Sequence, residues 1–89
     1  MQNLHIGPAN PVNFGTSQDV AKIEAHKLLT DPIVLSWKNL HTGEHSPNVD
    51  CCGHDGKEAW EIYAESRGGT IRVEVGDDYI FIFGEGSLA

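Results

Sequence analysis

Five side chains that could bind a metal or act as nucleophiles lie close together in one stretch of this chain: His41, His45, Cys51, Cys52 and His54. They include three of the five histidines and both cysteines. Imidazole and thiolate are the donors that zinc, copper, iron and nickel prefer, so the stretch reads as a site for Zn or another transition metal. Familiar zinc motifs separate their cysteines by two to four residues so that both thiolates converge on one ion. Adjacent Cys51 and Cys52 point to opposite sides of an extended segment, so one of them is expected at the metal. Cys52 and His54 share a side and could join His41 or His45, with Cys51 in reserve. The competing reading is a polar surface loop that holds these residues by chance.

The same residues admit thiol chemistry, with His54 generating a Cys52 thiolate or the pair switching between dithiol and disulfide. The neighbouring acids Glu44, Asp50 and Asp55 oppose it, because a thiolate beside carboxylates is disfavoured and its pKa rises. A disulfide between sequence neighbours is also strained, since their Cα atoms are about 3.8 Å apart and an unstrained bridge needs roughly 4.4 to 6.8 Å. No structural disulfide is therefore expected.

Other candidates are weaker. Glu58, Glu61 and Glu65 alternate with apolar residues and read as a solvated face rather than an acid-base pair. His26 and His5 read as exposed residues. Trp37 and Trp60 read as core. The glycines form no phosphate-binding pattern. The site prediction therefore names metal ligands and no catalytic residue, and it favours binding or assembly over catalysis.

Thirteen acidic residues against six Lys and Arg give a formal charge of -7. A polyanion would be repelled at long range, which argues against nucleic acid and anionic membranes as partners. The first residues show no basic start followed by an apolar run, and no apolar stretch is long enough for a membrane span, so the expected location is cytoplasmic. At 89 residues the chain is expected to form a single domain.

The elements that must hold the His/Cys stretch follow from periodicity. Residues 1–15, with Pro8 and Pro11, read as an irregular lead with at most a short strand at its Leu4 and Ile6, covering an edge. A helix is predicted over 16–31: Thr16 and Asp19 form a weak capping box, and Val20, Ala21, Ala25, Leu28 and Leu29 supply an apolar side. The pair Asp31-Pro32 ends it. Beyond Pro32 the period falls to two, predicting a strand over 33–40 with Ile33, Leu35 and Trp37 on one face. A long loop occupies 41–57. A second strand is predicted over 58–67, a Gly68-Gly69 hairpin turn, a third strand over 70–75 and a fourth over 79–83. That hairpin would place Glu65 opposite Arg72 as a cross-strand ion pair. The sum is α+β, one helix on an antiparallel sheet of about four strands.

The last strand has large residues on both faces. A two-residue turn before it would put Ile80 and Ile82 beside Val73 and Val75; a three-residue turn would put Tyr79, Phe81 and Phe83 there. Either way a bulky stripe remains, to be covered by the chain itself or by a second copy in a C2 dimer. A metal-free homodimer module using the Tyr79, Phe81 and Phe83 face is thus the main alternative to metal binding, and a Cys51/Cys52 thiol-redox protein is the second.

The run WEIYAESRGGTIRVEVGDDYIFIF, residues 60–83, resembles a small family of uncharacterised prokaryotic proteins, a domain of unknown function. The resemblance extends from the helix to the last strand. It implies a stand-alone α+β domain and carries over no catalytic residue and no mechanism.

Overall fold

Seven elements follow one another in the computed structural model, which describes residues 1–46 and 58–86: β1 (Gln2–Ile6), α1 (Phe14–Ala25), β2 (Pro32–Asn39), β3 (His45–Ser46), α2 (Ala59–Ser66), β4 (Gly69–Val75) and β5 (Tyr79–Glu85). The strands form one sheet in the order β1-β4-β5-β2-β3, with β1 parallel to β4 and the other pairs antiparallel. The α+β class stands. The sheet is mixed and five-stranded rather than antiparallel and four-stranded, and two helices rather than one pack on it.

The turn at Gly76, Asp77 and Asp78 sets the arrangement of both faces. Gly76 adopts φ +55°, and the turn has three residues, so Val75 pairs with Tyr79, Val73 with Phe81 and Ile71 with Phe83. Period two then sends Tyr79, Phe81 and Phe83 to one face and Ile80 and Ile82 to the other. On the first face Ile71, Val73, Val75, Phe81 and Phe83 form the larger core with Ala21 and Ala25 of α1. On the second, Ile80 and Ile82 pack with Trp60 and Ala64 of α2 and with Leu35. Both stripes of β5 are therefore covered within the chain. Phe81 and Phe83 have no exposed surface, so the aromatic face proposed for a homodimer is occupied by α1.

Small residues let α1 sit close to the sheet: Ser17, Ala21 and Ala25, four apart, are its buried line. Phe14 meets Trp37, Tyr79 and Phe81 edge-on, with ring centroids 4.8, 5.8 and 5.5 Å away. The helix starts earlier than the Thr16 box suggests, because the Asn13 side chain accepts the Thr16 N–H at 2.8 Å and is the N-cap. It also stops earlier, with the cap at His26. Downstream, the N–H groups of Thr30 and Asp31 donate to the Glu85 carboxylate at 2.8 and 2.7 Å, and Leu28 is left exposed.

The segment predicted as a second strand is α2. Trp60 and Ala64, one helical turn apart, are its buried residues, and that spacing satisfies a helix as well as an alternating strand. With the strand go the hairpin at Gly68-Gly69 and the cross-strand register of Glu65 with Arg72. Gly68, at φ +89°, lies just beyond the Arg67 cap, the position where a helix commonly ends in a left-handed residue. Arg72 forms ion pairs with Glu74 on its own strand and with Glu61 of α2 at 3.8 Å.

Two further differences concern strands. The predicted lead contains β1, whose Leu4 and Ile6 pair with Val73 and Val75. In β2 an irregularity between Val34 and Ser36 breaks the alternation, so Val34 and Trp37 pack on the α1 side and Leu35 on the α2 side. No described helix is long and apolar enough to cross a membrane.

Candidate functional site

The His/Cys stretch leaves β2 through a tight turn. The Asn39 side-chain oxygen accepts the N–H groups of His41 and Thr42 at 2.9 and 3.3 Å, and Gly43, at φ +81°, donates to the Asn39 carbonyl. Asn39 N–H then donates to the Glu44 carbonyl at 2.7 Å, which starts β3. Across this short pairing His45 lies opposite Lys38 and Ser46 opposite Trp37.

Lys38 also holds the far end of the stretch. Its Nζ donates to both carboxylate oxygens of Glu58, at 2.6 and 2.8 Å, and Glu58 is the N-cap of α2. The Glu58 carboxylate accepts Trp60 Nε1–H as well. Hydrogen bonds from Lys38 and then Trp60 hold the Glu58 carboxyl below its ordinary 4.5, against the opposing effect of burial, and the charges of Lys38 and His45 add to this. One lysine thus links His45 of β3 and the N-cap residue of α2.

His41 is exposed and reaches the other turn: its Nε2 lies 2.5 Å from Asp78 Oδ1, and Asp78 is largely shielded. The backbone reinforces the contact, since Leu40 N–H donates to the Asp78 carbonyl at 2.8 Å. Asp78 thereby orients the imidazole through one nitrogen and leaves Nδ1 for another partner.

Of the five predicted ligands, His41 is thus held by Asp78, and His45 lies opposite Lys38 and near enough to Glu58 to favour its ionised form. Cys51, Cys52 and His54 lie outside the described residues. Among the described residues no three His, Cys, Asp or Glu side chains are grouped so as to hold a metal ion. Sequence reasoning missed Lys38 and Asp78 and read Glu58 as part of a solvated face. The available signal was opposite charge at the two ends of one loop, Lys38 before it and Glu58 after it.

Away from the loop, Met1, Asn3, Glu61, Glu65, Gly69 and Arg72 line an open groove of about 500 Å³ beside α2. Its cation, Arg72, is already matched by Glu61 and Glu74. A smaller hollow of about 310 Å³ lies by His5, Pro8 and Gly76, where His5 Nε2 is 3.2 Å from the Gly76 carbonyl oxygen.

A family model described as a domain of unknown function, DUF5619, matches residues 1–83. The chain belongs to that family. An uncharacterised protein of Archaeoglobus fulgidus is 32% identical over 75 residues, which cover 84% of this chain and 78% of the relative. The fold is similar to the crystal structure of a novel protein from the same organism, with a TM-score of 0.80 and 29% identity, covering 100% of this chain and 99% of that one. The resemblance noted at residues 60–83 therefore extends over nearly the whole chain.

Proposed function

We propose that this DUF5619 domain binds a transition metal, zinc or one of similar ligand preference, through the stretch from His41 to His54. Its candidate ligands are His41, His45, Cys52 and His54, with Cys51 as the reserve thiol. The observation that carries the reading is the contact of His41 Nε2 with Asp78 at 2.5 Å. Histidines that ligate metals commonly donate their other ring N–H to a carboxylate, which fixes the tautomer and raises the basicity of the ligating nitrogen. Asp78 stands in that relation to His41, with Nδ1 as the ligating atom.

The two anchored ends support the same reading. Because Lys38 pairs with His45 and also hydrogen-bonds Glu58, His45 and Glu58, which flank Cys51, Cys52 and His54 in sequence, are held near one another. Closing a loop in advance reduces the entropy that ligation must overcome. The Glu58 carboxylate, engaged by Lys38 and Trp60, serves as an anchor rather than a ligand. The role that follows is uptake of an ion or assembly around it.

Titration with Co(II) tests this: thiolate-to-metal charge transfer and tetrahedral ligand-field bands are expected, and both are expected to be lost in a Cys52→Ala/His54→Ala variant. Cobalt spectra without thiolate bands, unchanged in that variant, would overturn the reading.

A further inference from the structure

We draw no further inference here: the strongest candidate, the open groove of about 500 Å³ between α2 and β1 whose charged lining is Glu61, Glu65 and Arg72, is an acidic cluster whose arginine is already engaged by Glu61 and Glu74, and nothing among the described residues shows what would fill it.

Discussion

Lys38 Nζ hydrogen-bonds both oxygens of the Glu58 carboxylate, at 2.6 and 2.8 Å, joining β2 to the first residue before α2. Because His45 pairs with the same lysine, one residue links β3 to the N-cap of α2. The pair is partly solvated, so its contribution to global stability is modest and its main effect is on how the start of α2 sits against β2.

The Glu58 interaction gives a pH dependence. The carboxyl is held below 4.5 in the folded chain, so its contribution is present above the unfolded value and is lost as pH falls through the folded one. Glu58→Gln is expected to be less stable than the parent chain at pH 7, with the difference closing as pH falls below 4.5 and through the lowered folded value. Urea midpoints measured from pH 7 down to pH 3 check this. A difference that grows on acidification would be the wrong sign.

Phe81→Ala is expected to destabilise the fold by about 3–5 kcal/mol, because the ring is fully buried between α1 and the sheet. Denaturant unfolding followed by circular dichroism measures it. If the ring instead formed an interface between copies, the cost would fall mainly on association and would depend on protein concentration.

The register of β4 with β5 was nearly legible, because a three-residue turn at Gly76 was one of two choices and each assigned every side chain to a face. The segment 58–67 was not legible, for a physical reason. Trp60 and Ala64 are four apart, which places them on one side of a strand and on one side of a helix alike, while Trp60, Ile62 and Tyr63 have strand-like side chains. Tertiary packing decided between them: β5 exposes Ile80 and Ile82 on its second face, and a helix bearing Trp60 covers that stripe. The glycine pair was ambiguous in the same way, since a glycine with positive φ ends a helix as readily as it turns a hairpin. At the site, the donor types of His41 and His45 could be read directly. The contact with Asp78 joins residues far apart in sequence, and no local pattern encodes it.

Gly69 and Gly84 are two positions where another part of the chain approaches closely. A Cβ on Gly69 would lie 2.8 Å from the Ala64 carbonyl oxygen and 2.9 Å from Ile82 Cγ2, and one on Gly84 would lie 2.8 Å from Leu35 Cδ1. Gly69→Ala forces α2 away from β4 and is expected to cost about 1–3 kcal/mol. Gly84→Ala meets the end of a flexible side chain first and the Gly68 carbonyl oxygen only at 3.0 Å, so it is expected to cost less. Thermal melts of the two variants order them; equal stability would contradict the close approach of α2.

Asp78→Asn retains the size of the side chain and removes the charge that orients His41. Metal affinity is expected to fall about 10- to 100-fold, with thermal stability of the metal-free chain little changed. Competition against a chromophoric chelator reads the affinity. Unchanged affinity would separate His41 from the metal.

The most direct measurement is the metal content of untagged protein purified without chelator or added metal, by elemental analysis against protein concentration. About one Zn, Fe, Cu or Ni per chain is expected, and it is expected to be lost in a His45→Ala/Cys52→Ala variant that still folds. A metal-free chain that takes up no Zn(II) or Co(II) at 100 µM, or a bound metal retained in full by that variant, would contradict the assignment of metal binding to the stretch from His41 to His54.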